Sequence, residues 1–171
     1  GISASMLILL YITDELSYDR FHKDSERIYR VITKARMSED EIMHIAVSSA
    51  PMADGLIRHI PEVETVTRIN PAVMIFNHEG EVYKELNLYY ADSTFFDVFS
   101  FQLREGNKGE FLRAPYSIVM TEKSAIRSFG EEALKQGSVV GQLIISGEDT
   151  YKVTGIVENV PHNSHFDFDF L

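Results

Sequence analysis

Seven apolar residues in a row, Met6-Leu7-Ile8-Leu9-Leu10-Tyr11-Ile12, are followed almost at once by a charged stretch, Asp14-Glu15-Leu16-Ser17-Tyr18-Asp19-Arg20. A helix on the surface of a water-soluble core interleaves polar side chains every three or four positions, because one side of it faces water. This run does not. It is also only about half the ~20 apolar residues that carry a helix across a bilayer. A secretory signal peptide fits poorly, since no basic residue precedes the run and no small-residue cleavage site follows it. Two readings remain: the outer half of a transmembrane helix with Tyr11 at the interface, or a helix buried in a soluble core. The unbroken apolarity favours the first, and the change at Asp14 then marks a helix leaving the membrane for water. One continuous helix is expected from residue 1 to about 22, its apolar side chains outside the chain's own core.

The rest of the chain has enough apolar residues to fold. The whole chain, 171 residues, is 44% hydrophobic and includes eleven Phe and eight Tyr, which excludes a disordered linker and allows one core or two small subdomains. The formal net charge of −10 argues against nucleic acid, whose phosphates draw binding energy from Lys and Arg, and against anionic lipid headgroups. The absence of cysteine removes thiol nucleophiles, thiolate metal sites and disulfides together.

Periodicity and punctuation outline an α+β domain with mostly antiparallel strands. IYRVITKA (28–35) reads as a strand and MSEDE (37–41) as a charged turn. Pro51 opens a helix on which Met52, Leu56 and Ile60 share a face, and Pro61 stops it. VETVTRI (63–69) alternates and reads as a strand, completing a βαβ unit. VMIF (73–76) and VYKELNLYY (82–90) pair as a hairpin turned at His78-Glu79-Gly80. A short helical turn packs Phe95, Phe96, Val98 and Phe99, and residues 105–110 form a loop. YSIVM (116–120) is a strand, Thr121 caps a helix that Gly130 ends, and strands 141–146 and 150–157 flank a turn at Gly147-Glu148-Asp149. Pro161 and Asn163 mark a loop before FDFDFL (166–171).

Few groups on this frame have the makings of a chemical site. His162, His165, Asp167 and Asp169 form the one cluster of metal-ligand type, yet the spacing matches no standard zinc signature, and histidines three apart converge only on a helix. Pro161 and Asn163 argue for a turn there, with Asn163 and Ser164 bonding its backbone. No nucleophile elbow, H-E-x-x-H motif or Walker loop occurs, and Gly106-Asn107-Lys108-Gly109 is too short to cradle phosphate. Asp14 and Glu15 are adjacent, so they diverge on a helix, and Arg20, Arg27 and Arg30 read as surface ion-pair residues. The densest aromatic cluster, Phe95, Phe96, Phe99 and Phe101, reads either as core under a short helix or as a contact site for a partner. No catalytic residue, cofactor site or metal site is assigned.

The stretches taken together resemble a family. The apolar run leading into DELSYDRFHKDSERIYRV (14–31), then APMADGLIRHIPEVETVTRI (50–69), YADSTFFDVFSFQLREGN (90–107), YSIVMTEKSAIRSFG (116–130) and VVGQLIISGEDTYKVTGIVENVPHNSHFDFDFL (139–171), resemble FtsX-like ABC transporter permeases, and more narrowly those with a MacB-like periplasmic core domain. The resemblance covers essentially the whole chain in order. It implies a fold with a βαβ Porter-like part and a Sabre-like insertion, preceded by a membrane and stalk helix. Residues 1–23 would be the end of the first transmembrane helix and the stalk, 24–89 the Porter-like part, and 90–171 the Sabre-like part. In the family a second βαβ follows FDFDFL, and position 142, Gln here, is often Lys.

By the same resemblance the domain stands on the periplasmic side of a bacterial inner membrane. It would couple cytoplasmic ATP hydrolysis to extracytoplasmic movement for export of a peptide, drug or lipoprotein, or for control of a periplasmic partner. The implied partners are a cytoplasmic ABC ATPase subunit, a second permease copy, and a periplasmic adaptor or outer-membrane channel. The family offers no catalytic residue. The rival readings are a metal-dependent periplasmic hydrolase centred on His162, His165 and Asp167, and a peptide-sensing module.

Overall fold

The computed structural model describes residues 1–38, 41–78 and 81–171. The two turns expected at 37–41 and at His78-Glu79-Gly80 fall partly outside the described residues. The first element, α1 (Ile2–Glu15), contains no buried residue. Leu7, Ile8, Leu9 and Leu10 are all about 60% exposed or more, so this helix belongs to no core of its own chain. At 14 residues it is about 21 Å long, and among the described residues no helix is long and apolar enough to cross a membrane. The helix ends at Glu15, not at residue 22 as its sequence suggests. The Ser17 N–H and hydroxyl both turn back to the Asp14 carbonyl, at 2.9 and 2.7 Å, and Asp19 then takes a left-handed conformation with φ +56°.

A small antiparallel ribbon follows, β1 (Thr33–Arg36) on β2 (Ile42–Ile45), and then α2 (Met52–His59). Only the last part of 28–35 forms strand, the part opposite β2. Residues 63–68 form no strand. The strand begins at β3 (Ile69–His78), which pairs with β4 (Glu81–Ala91). The expected domain boundary at 89–90 therefore falls inside β4, which shares one sheet with the strands that follow.

Next come α3 (Phe95–Val98), β5 (Leu103–Gly106), β6 (Ser117–Thr121), α4 (Glu122–Phe129), α5 (Glu131–Lys135), β7 (Leu143–Ser146) and β8 (Asp149–Val157). The Ser124 N–H is accepted by Thr121 Oγ1, the expected cap, and Gly130 ends α4 at φ +85°. Gly147 turns the β7–β8 hairpin at φ +61°.

The sheet runs β4-β3-β7-β8, with β6 parallel to β8 on its far side and β5 antiparallel to β8 beyond β7. The last residues close it. Phe170 bridges Leu88 of β4 on one side and Met120 of β6 on the other, and Val119 and Leu171 exchange two backbone bonds of 2.8 Å. β4, β3, β7, β8, β6 and the final segment thus form a ring.

Side chains alternate across that ring. Ile118 and Met120 join Met74, Phe76, Leu88, Ile144, Val153 and Phe170 in one core, while Val119 joins Phe95, Phe96, Phe111, Val157, Phe168 and Leu171 in another. Beside the first core lies a polar cluster. Arg127 of α4 bonds the buried Glu85 and reaches Asp169 at 3.6 Å, Lys123 reaches Asp169 at 3.5 Å, and the Arg127 guanidinium stands 6.0 Å from the Phe170 ring centre.

Burial holds the Glu85 carboxyl above its ordinary value, Asp169 adds to this, and Arg127 opposes it. Arg127→Ala is therefore expected to lower stability by about 2–3 kcal/mol near neutral pH. An acid whose folded value is raised favours the fold below its unfolded value of 4.5 and disfavours it as pH rises through the folded one. The loss in Arg127→Ala should accordingly shrink toward low pH, as read by denaturant titrations at several pH values. A loss that grows on acidification would contradict the assignment.

Candidate functional site

The N-terminal helix meets the β-domain at a junction built from three distant segments: residues 17–23, 99–102 and 161–166. The helix exit grips the loop after β8 from both sides. The Asp19 N–H donates to the Asn163 carbonyl at 2.9 Å, and Asn163 Nδ2 donates back to the Ser17 carbonyl and hydroxyl at 3.1 and 3.2 Å. The Asp19 carboxylate then takes His165 at two points, the backbone N–H at 3.0 Å and ring Nδ1 at 2.7 Å. The left-handed backbone at Asp19, more tolerable for Asp than for a branched residue, turns the carboxylate toward this loop. Tyr18 packs edge-on against the His165 ring at 5.0 Å. Ser17 and Asn163, like Asp19 and His165, lie 146 residues apart in sequence.

Three residues further on, His22 is inserted in an aromatic socket and is only 3% exposed. Its ring lies 4.0 Å from Phe21 and 5.2 Å from both Phe99 and Phe101. The Ser100 N–H donates to His22 Nδ1 at 3.1 Å, and the Lys23 N–H donates to the Ser100 hydroxyl, also at 3.1 Å. Burial lowers the affinity of this imidazole for a proton, against a smaller opposing pull from Asp19.

The four phenylalanines singled out as a partner contact stand differently from that expectation. Phe95 and Phe96 are buried, at 0 and 4% exposure, because α3 turns them into the second core. Phe99 and Phe101 are half-buried. What they face is the chain's own helix exit, with Phe101 5.6 Å from Phe21 and Phe99 4.6 Å from Phe166. The aromatic cluster is therefore the seat of the junction. Neither His22 nor Asp19 stands out in the sequence; the available sign was a histidine beside Phe21 in an otherwise charged segment.

The histidine–carboxylate cluster is dispersed. His165 is engaged with Asp19, His162 is exposed with Nε2 3.9 Å from Asp14, Asp167 is exposed, and Asp169 is buried with Arg127 and Lys123. Among the described residues no group of three or more His, Asp or Glu side chains could hold a metal ion. The loop itself is as expected at Ser164, whose hydroxyl takes the Phe166 N–H at 3.1 Å, whereas Asn163 reaches across to Ser17.

A second polar clasp ties the α2 segment to the ring. Arg68 grips Asp92 in bidentate fashion, at 2.8 and 2.9 Å, and extends Nη1 to the Ala50 carbonyl at 3.4 Å. Hydrogen bonds from Arg68 hold the Asp92 carboxyl below its ordinary value. The adjoining open cleft, of about 280 Å³ and lined by Ala53, Asp54, Ile57 and Thr94 among others, has Arg68 as its one cation, already committed to Asp92.

The fold resembles a domain of a putative permease protein from Porphyromonas gingivalis, with a TM-score of 0.65 and 23% identity over 82% of this chain and 58% of that one. It also resembles the periplasmic region of MacB from Actinobacillus actinomycetemcomitans, TM-score 0.51 and 19% identity over 63% and 49% of the two chains. The extracellular domain of the noncanonic ABC-type transporter YknZ, from Gram-positive bacteria, gives TM-score 0.51 and 19% identity over 64% and 57%. The chain thus spans about half to three-fifths of the length of these structures. Comparison with curated proteins gives no match. The family model of the MacB-like periplasmic core domain matches residues 1–171, from the apolar helix through the final segment, and the chain belongs to that family.

Proposed function

We propose that this domain is the periplasmic coupling element of an ABC transporter permease in a bacterial inner membrane, with α1 the outer end of its first transmembrane helix. Movement of that helix, driven by a cytoplasmic ATPase subunit, enters the β-domain at the junction and is used for export or for control of a periplasmic partner. It performs no chemistry. The permease works as a dimer, with an adaptor or outer-membrane channel as a further partner. The observation that carries this reading is the docking of the segment that follows an exposed apolar helix onto the loop after β8, through reciprocal bonds among Ser17, Asp19, Asn163 and His165. Ring membership supports placing the subdomain boundary near residue 68.

The test uses the permease that carries this domain, expressed with its ATPase subunit. Two glycines inserted after Leu16, or Asp19→Ala combined with Asn163→Ala, are expected to stop export in cells while the protein still reaches the membrane. A control of His162→Ala with Asp167→Ala, two exposed side chains, should export normally. Normal export by the junction variants, with the control inactive yet folded, would overturn the proposal.

A further inference from the structure

We infer that His22 makes the junction proton-sensitive: the helix exit is clamped at two points while the imidazole is neutral, and released from the aromatic seat when it is protonated. This regulates the coupling site proposed above, but the structural switch itself stands or falls independently of transport.

The geometry sets the tautomer. Nδ1 accepts the Ser100 N–H, so it carries no hydrogen, and the proton of the neutral ring sits on Nε2. Nε2 is buried and, among the described residues, has no hydrogen-bond partner; aromatic rings surround the imidazole. A second proton must go to Nδ1, where it would face the Ser100 N–H across 3.1 Å, donor against donor. The same proton would place a cation in an apolar socket with no bonded carboxylate. Both effects push the ring outward, and the Lys23 bond to the Ser100 hydroxyl goes with it.

The charged groups nearby do not reverse this. Asp19 on the same turn raises proton affinity less than burial lowers it, and its carboxylate is already occupied by His165. The Lys23 ammonium is exposed, and Glu158 is an exposed residue on the cleft beside Phe21 and Phe101. Residues 99–102 bring no charge. The other grip, between Asp19 and residues 163–165, uses no His22 atom and persists. Acidification therefore turns a two-point clamp into a single pivot.

The sign follows from linkage. A base whose folded affinity is depressed leaves stability intact above its ordinary value and loses it as pH falls through that value, about 6.5 for histidine. One proton per opening gives at most roughly tenfold per pH unit below that value, hence up to about thirtyfold between pH 7.5 and 5.

The experiment is hydrogen exchange followed by NMR on the 171-residue chain in detergent micelles, with imidazole nitrogen shifts read on the same samples. Expected are an Nε2–H tautomer at pH 7.5 and a protection factor for the Ser100 amide that falls severalfold, up to about thirtyfold, by pH 5, with β6 and β8 amides unchanged. His22→Asn, which keeps an acceptor near the Nδ1 position but does not titrate, should hold that protection flat. An Nδ1–H tautomer, or a wild-type Ser100 amide equally protected at pH 5, overturns the inference without any variant. The same acid loss in a folded His22→Asn chain would overturn it too.

Discussion

Alanine at position 155 is expected to destabilise the domain by about 3 kcal/mol, as much as overpacking of a tight core usually costs. Gly155 lies in β8 between two strands, opposite Val119 of β6 and Gly106 of β5. A Cβ there would come within 2.0 Å of Phe111 Cε1 and 2.2 Å of its Cζ. The ring has nowhere to retreat. Phe111 is 2% exposed and abuts Phe96 at 5.1 Å, which abuts the fully buried Phe95. The neighbouring Gly106 is as constrained, since its φ is +102° and a Cβ would lie 2.7 Å from the Thr154 carbonyl. The two glycines thus form a floor on which one aromatic ring lies. Phe111→Ala alone should cost about 3–5 kcal/mol. In the double variant the clash disappears, so the combined loss should fall well below the sum of the singles. Urea titrations of the four chains decide it. A Gly155→Ala loss under 1 kcal/mol, or two losses that simply add, would show that the ring moves aside freely.

The second large effect belongs to Phe170→Ala, expected at about 3–5 kcal/mol. Phe170 is fully buried, lies 5.0 Å from Phe76, and bridges both β4 and β6. Its carbonyl takes the Tyr89 N–H at 3.1 Å and its N–H reaches the Asn87 carbonyl at 3.2 Å. Alanine keeps these backbone bonds but leaves a cavity where the ring stood. The exposed Asp167→Ala, three residues away, is the matched comparison and should stay within about 0.5 kcal/mol of wild type. Equal losses at the two positions would mean that the final segment is held by its backbone alone.

Local signals carried the local structure well. Thr121 before a helical pattern, Gly130 after it and Gly147 between two β-rich runs each act within a few residues, so their outcome is written where they stand. The apolar helix was legible for the same reason, and the four phenylalanines were visible as a group although their occupant was not. A strand pattern with no partner nearby is weaker evidence. VETVTRI alternates, yet alternation says only which side chains would share a face, and the backbone of 63–68 has no strand beside it. Pro71, which would discourage a central strand, sits inside β3 opposite Tyr89. The Tyr89 N–H is turned to Phe170, so a ladder donor is not missed at Pro71 on that side, and β3 meets β7 only at Asn77. The helix that was expected to continue to residue 22 stops at Glu15 because residues 161–165 capture the chain. No pattern within 14–22 announces a partner 146 residues away.

The ring also has a cost in time. Until residues 168–171 arrive, β4 and β6 each keep a bare edge, and the pairs that cover them, Leu88 with Phe170 and Met120 with Phe170, link positions far apart in the chain. Contacts of such long range form late, and unpaired edges are where chains stick to one another. A chain made from its N-terminal side must therefore carry an open β4 edge from residue 91 onward, and an open β6 edge from residue 121, until residues 168–171 follow. The exposure of these edges to proteases and to neighbouring copies ends when Phe170 and Leu171 pair with them.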